Sequence, residues 1–351
     1  MKIPILIFLC LSISSCSVFY VAKQATYQLK LLAGAEPIAE VLRDSGLGKK
    51  ERHKLELVLA VRQYAQATLG LRVKEIYQNV NLSFNERIYA VTACPPLSFK
   101  PYEWWFLIIG SVPYKGYFKK EDALAEEARL KTQGLETMVR PVGGYSTLGY
   151  FSDPVWRSML NMRDHALVEL IIHELVHATV YFPGQTKFNE SFANFVAAEA
   201  AARFVVEHFG ADSAELIDMK RSIEFSLQHE SFFHGLYLRL QTIYTSSASD
   251  EEKLKEKARV MREGHDEYGK ILAKYNLPNN DWDEINNAYL ISFQQYNNDD
   301  KVFSKLFNFM GRDLPKFMAE VAYLAHSSEP FKALNERVNQ IAKYHENESK
   351  K

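Results

Sequence analysis

The segment His173-Glu174-Leu175-Val176-His177 sets two imidazoles four positions apart, with a carboxylate directly after the first. On a helix, residues four apart lie one above the other on the same face, so both rings can reach one zinc ion at about 2.0–2.1 Å from each nitrogen. Glu174 then stands beside the metal without binding it, where a general base takes a proton from water. A third ligand is expected from Asn189-Glu190-Ser191-Phe192-Ala193, which begins twelve residues after His177. Glu190 closes a His2Glu set with an open fourth position. Glu199 is a rival third ligand, and a pair of satisfied core histidines is the plain structural alternative.

This geometry requires two helices and a tight turn. From Asp164 to Phe182 the chain reads as an amphipathic helix with Leu167, Leu170, Ile171, Leu175 and Val176 facing a core, stopped by Pro183-Gly184. A second helix is expected to open at Asn189 as N-cap and run through Phe192, Phe195, Val196, Ala200 and Phe204 to Gly210. Other expected helices span Ala33–Arg43, Lys49–Leu69, Lys120–Thr132, Ser213–Ile243, Glu251–Tyr275, Asp281–Tyr296, Lys301–Met310 and Leu314–His326. Strand signals fall at Arg87–Ala93, Trp104–Ser111 and Glu136–Val142. The resulting class is α+β and predominantly helical, with a small mixed or antiparallel sheet and a helical C-terminal half. The expected organisation is one domain over 31–340, made of N-terminal helices and sheet (31–152) and a helical part with the metal site (153–340), followed by a flexible tail at 341–351.

The amino terminus bears on the compartment. Lys2, the apolar run Ile3–Ile13 and Ile13-Ser14-Ser15-Cys16 resemble a bacterial lipoprotein signal, with cleavage after residue 15, acylation of Cys16 and a tether over 16–30. An uncleaved anchor and a plain secretory signal are the alternatives. Lipidation places the chain in the cell envelope, membrane-anchored and facing the periplasm, with the outer membrane one option. Of the 3 cysteines, Cys10 leaves with the signal and Cys16 carries lipid, so Cys94 has no partner for an internal disulfide. Cys94 is read as a small buried residue, with nucleophile or ligand as its alternatives. The 42 basic and 43 acidic side chains nearly cancel, and with no domain-sized basic face a nucleic-acid partner is not expected. The mixed-charge run Asp250–Glu267 reads as a solvated helix face.

Several blocks carry a family resemblance: Tyr114-Lys115-Gly116-Tyr117-Phe118, Gly144-Tyr145-Ser146-Thr147-Leu148-Gly149-Tyr150-Phe151, Asp153-Pro154, the H-E-L-V-H helix, Phe188-Asn189-Glu190-Ser191-Phe192-Ala193 and Asn286-Asn287-Ala288-Tyr289-Leu290. With these the chain resembles the bacterial predicted-aminopeptidase family of zinc-dependent lipoproteins, among the gluzincin-type metallopeptidases. The resemblance implies a zincin-like peptidase acting on peptide substrates, one Zn2+ per chain on His173, His177 and Glu190, and Glu174 as catalyst.

The glycine-flanked block with Tyr145, Ser146 and Thr147 is the candidate substrate-binding edge, since glycines permit close approach of another chain; a tight structural turn is the competing explanation. Candidate oxyanion donors are Tyr145, Tyr150, His229, His234, Tyr244 and Tyr289. Asn194 and Asn287 are candidates to orient a ligand, by the rule that a metal-bound imidazole donates its other N–H to an acceptor. Two other functions stay open: a noncatalytic envelope lipoprotein whose zinc only joins two helices, and a zinc hydrolase of cell-wall peptides or another amide.

Overall fold

The computed structural model describes residues 20, 23–73, 76–106, 110–142, 153–293, 298–324 and 327–348, in which helices dominate and strands are short. The class is α+β, and the chain divides into two compact units, 1–33 with 84–143 and 223–296, and 34–83 with 144–222 and 297–351. Among the described residues no helix is long and apolar enough to cross a membrane. Residues 1–15, Cys16, Tyr145, Ser146, Thr147 and Tyr150 lie outside the described residues.

The second unit carries the H-E-L-V-H motif. Its strands are few: Asn79–Asn81 pairs antiparallel with Glu36–Pro37 and parallel with Val155–Trp156. Helices Lys49–Ala67, Asp164–Thr179, Thr186–Phe209, Asn298–Phe309, Leu314–Tyr323 and Pro330–Glu348 supply the bulk. In Asp164–Thr179 the residues Leu167, Val168, Ile171, Ile172, Leu175 and Val176 have no exposed surface at all. At about 1.5–3 kcal/mol for each such side chain, that stripe anchors the helix that carries the histidines. A phenylalanine core seals the next helix: Phe192 and Phe195 lie with ring centroids 5.9 and 5.2 Å from Phe317. The first turn of the motif helix is fixed by Asp164, whose carboxylate receives Lys54 and lies 2.7 Å from His53.

The first unit holds an antiparallel sheet in which Tyr89–Cys94 is central between Lys115–Tyr117 and Glu136–Pro141. Helix Lys120–Lys131 packs on this sheet. Cys94 is fully buried on the central strand, and burial followed by the field of Glu136 pushes its thiol up to about 12, which disfavours the thiolate a nucleophile needs. The helix Asp250–Lys274, opened by a capping box between Ser249 and Glu252, exposes most of its expected solvated charges, but Lys257 within that run is buried, pairs with Glu136 and donates to the Pro96 carbonyl.

Several expected boundaries are corrected. The stretch read as a tether is helical over residues 23–33, where Lys23 pairs with Asp122 at 2.8 Å and Leu31 is buried. The expected helix Ala33–Arg43 is a two-residue strand followed by the short helix Ile38–Val41. The strand Trp104–Ser111 is instead a pair, Trp104–Phe106 antiparallel to Gly110–Val112. The helix expected at Asp281–Tyr296 breaks into three short turns, because the Asn286 side chain accepts from the Ala288 and Tyr289 amides and starts a new helix there. Helix Pro330–Glu348 runs through most of the segment expected to be a flexible tail.

Candidate metal centre

His173 and His177 fall on one face of helix Asp164–Thr179, with Nε2 atoms 3.0 Å apart and ring planes at 89°. Glu190 comes from the helix Thr186–Phe209, its Oε2 3.4 Å from His173 Nε2 and its Oε1 3.4 Å from His177 Nε2. Among the described residues these three make the group of His, Cys, Asp or Glu side chains able to hold a metal ion. Donors on a tetrahedral zinc at about 2.0–2.1 Å stand about 3.3–3.4 Å from one another, so two imidazoles and a carboxylate with these separations fit such an ion. The side chain of His177 is 5% exposed and that of Glu190 53%, so the cluster is rooted in the core and open on the glutamate side.

The electrostatics agree with the geometry. Burial acts against charge on both partners, but hydrogen bonding and charge attraction win. His173 is lifted above the ordinary imidazole range by Glu190, Glu174 and a hydrogen bond with Asn194. Glu190 is drawn down to about 2 by His173 and His177. Glu174 is itself buried, 8% exposed. Glu169, one turn before His173, is raised by burial and partly relieved by His173.

The turn between the two helices is built differently from the sequence expectation. The second helix starts at Thr186 after Gln185, not at Asn189. Gly184 adopts φ +74°, a conformation that disfavours other residues, and lets the chain reverse. Asn189 lies inside the helix and is 1% exposed; its Oδ1 accepts from the Phe182 amide at 2.8 Å and its Nδ2 donates to the Phe182 carbonyl at 2.8 Å. The asparagine thus replaces the backbone ladder that the chain loses at Val180, where the helix ends extended. Glu190, the next residue, takes its position from this clamp.

Other candidates separate cleanly. Glu199 pairs with Arg312 at 2.9 Å and lies outside the cluster. Asn194 lies close enough to His173 to help hold its charged form. Asn287 instead donates to the Pro95 and Pro96 carbonyls and accepts from Tyr244, tying loops of the first unit together. His234 is held by the Phe293 carbonyl at 2.8 Å, and His229 by Tyr268 and Tyr289. The His177 Nδ1 has no hydrogen-bond partner among the described residues, a departure from the usual acceptor behind a metal-bound imidazole.

Two tyrosines near the cluster were not among the expected site residues. Tyr181 lies one turn beyond His177, ring centroids 6.4 Å apart, and is 41% exposed; its spacing of four from His177 is the signal that was available. Tyr77 is fully buried with φ +54°, its amide donating to the Asp153 carbonyl at 2.8 Å. Its hydroxyl has no hydrogen-bond partner among the described residues. Burial first, then the fields of Glu174 and Asp153, raise it well above the usual phenol range. Left-handed backbone in a buried aromatic residue costs about 1–3 kcal/mol and is over-represented at functional sites.

A mostly helical α+β chain with a His-His-Glu cluster on a helix pair is the class that fold and site define. Residues 19–334 match the family described as "Putative aminopeptidase", and the chain belongs to that family. No curated protein and no solved structure matches it.

Proposed function

We propose that the chain is a zinc-dependent peptidase with a zincin-like catalytic helix pair, in which His173, His177 and Glu190 hold one zinc ion and Glu174 is the general base. The observation that carries this reading is the donor triangle of 3.0, 3.4 and 3.4 Å. Three protein donors leave a fourth tetrahedral position for solvent or substrate, as in catalytic zinc sites and unlike closed structural ones. A bound zinc ion would polarise the peptide carbonyl and make a water molecule acidic. Glu174 takes the proton from that water and delivers it to the leaving amine. Asn194 orients the His173 ring, and the buried stripe of helix Asp164–Thr179 keeps both imidazoles from swinging away. Tyr181 joins Tyr145 and Tyr150 among candidate donors to the developing oxyanion.

Peptides are the substrates, which the family description supports, and the Tyr145-Ser146-Thr147 segment is the proposed binding edge. Removal of an amino-terminal residue is the specific activity that description favours. The lipoprotein-like start at Lys2, Ile3–Ile13 and Cys16 supports a lipid-anchored enzyme of the bacterial cell envelope. A fluorogenic peptide panel, free and blocked at the amino terminus, tests the reading with wild type and Glu174→Gln. Cleavage of free peptides by wild type and none by the variant, with zinc content equal in both, is expected. Equal cleavage by both proteins contradicts the role of Glu174.

A further inference from the structure

The first unit contains a cavity of about 260 Å3 that the peptidase reading does not use. Its walls are Tyr268, Trp282, Tyr289 and His229, closed by Met138, Leu272, Pro278 and Ile285 and flanked by Asn279, Asp281 and Glu284. The volume lies below the range of about 300–1,000 Å3 typical of drug-sized ligands, so an occupant is small. The charge balance is one-sided. Two carboxylates line the cavity and neither Lys nor Arg does. Asp281 and Glu284 are exposed and form no ion pair among the described residues. Arg140 acts on Tyr289 through its field but is not part of the lining.

The polar wall is a hydrogen-bonded triad. His229 Nδ1 lies 2.7 Å from the Tyr268 hydroxyl and Nε2 lies 3.0 Å from the Tyr289 hydroxyl. A neutral imidazole carries one proton and two phenols carry two more, while the triad contains only two hydrogen bonds. One hydroxyl proton is therefore left over, on a tyrosine that lines the cavity. Burial lowers His229 to about 4, so near neutral pH the triad adds no positive charge. Aromatic rings, two unpaired carboxylates and a spare O–H donor together match one ligand chemistry: a positive charge with an apolar shell, next to an oxygen acceptor.

We propose that this cavity binds a small organic cation bearing a hydroxyl group, of the ammonium-alcohol type, with the ammonium among Trp282, Tyr268 and the carboxylates of Asp281 and Glu284, and the ligand oxygen accepting from the Tyr268–His229–Tyr289 triad. The site is independent of the zinc reading and of peptide hydrolysis. The ammonium with a nearby oxygen acceptor occurs in a free amino alcohol and, with that oxygen esterified to phosphate, in a phospholipid headgroup.

Calorimetric titration of the full chain with choline tests it, using 3,3-dimethylbutan-1-ol as the uncharged molecule of the same shape. Choline is expected to bind at least about 10-fold more tightly than its neutral analogue. The double variant Asp281→Asn, Glu284→Gln alters two exposed positions and should weaken choline about 10-fold while leaving the analogue unchanged. Tyr289→Phe should bring choline closer to tetramethylammonium, which lacks the oxygen. Phosphatidylcholine vesicles compete with choline if the headgroup is the source, and fail to compete if the ligand is a free solute; both results keep the cation site. Equal binding of choline and its neutral analogue, choline binding unchanged in the double variant, or no binding up to about 10 mM overturns the proposal.

Discussion

Replacing Asn189 by alanine should be among the most damaging single changes near the cluster, although Asn189 touches no proposed ligand atom. The side chain is 1% exposed and satisfies both the amide and the carbonyl of Phe182, each at 2.8 Å. Phe182 is also 1% exposed, so water has little access to the amide left behind. The Phe182 carbonyl keeps the Gln185 amide as donor at 3.1 Å, so the Phe182 amide alone is orphaned, and a buried donor without a partner costs about 1–3 kcal/mol. Because Glu190 follows directly, the looser turn should also lower zinc affinity about 10-fold, as loss of supporting hydrogen bonds does at metal sites. Urea unfolding of metal-free protein gives the stability, and native-state hydrogen exchange at the Phe182 amide gives the local effect. Asn335→Ala is the control, since that exposed side chain donates to the Phe331 carbonyl at 2.8 Å and its removal should change stability by less than about 0.5 kcal/mol. A loss for Asn189→Ala as small as the control's, with Phe182 protection unchanged, would refute the clamp.

Three further outcomes are expected. Gly184→Ala, at φ +74°, should cost about 1–2 kcal/mol and weaken zinc binding through the same turn; unaltered stability in thermal unfolding argues against strain there. His229 is held near 4 by burial, below its unfolded value of about 6.5. The unfolded chain therefore takes up the proton first on acidification, so the contribution is complete above about pH 6.5 and is lost as pH falls towards 4, on the order of 2–3 kcal/mol. The stability gap between wild type and His229→Gln should narrow over that window, and a gap independent of pH speaks against it. Tyr77→Phe removes a buried hydroxyl without a partner among the described residues and should leave stability unchanged or raise it by up to about 1 kcal/mol; a clear loss on denaturant unfolding would mean the hydroxyl is engaged.

The motif helix and its glutamate were legible in the sequence because their signals are local. Spacing of four, an apolar stripe from Leu167 to Val176 and the Pro183-Gly184 stop all act within one turn or two. The start of the partner helix was not. Asn189 looks like an N-cap in sequence, and only the fold reveals that its side chain closes the preceding turn from inside the helix. The break at Asn286 was missed for the related reason that an asparagine within an apolar pattern gives no sign of whether it caps or continues a helix. Tyr77 and Asp153 lie far from His173 in sequence, and no periodic pattern links them to the cluster. The clustering of Glu169, His173, His177 and Tyr181 at successive intervals of four was readable, and the outer two residues were overlooked because neither belongs to a familiar ligand pattern.

The account depends above all on one zinc ion seated on His173, His177 and Glu190. Metal content of the purified chain by plasma mass spectrometry, measured alongside His177→Ala and Glu174→Gln, tests this most directly. One zinc per chain in wild type, retention in Glu174→Gln and loss in His177→Ala are expected; wild type without stoichiometric zinc, or His177→Ala that keeps it, would contradict the central claim.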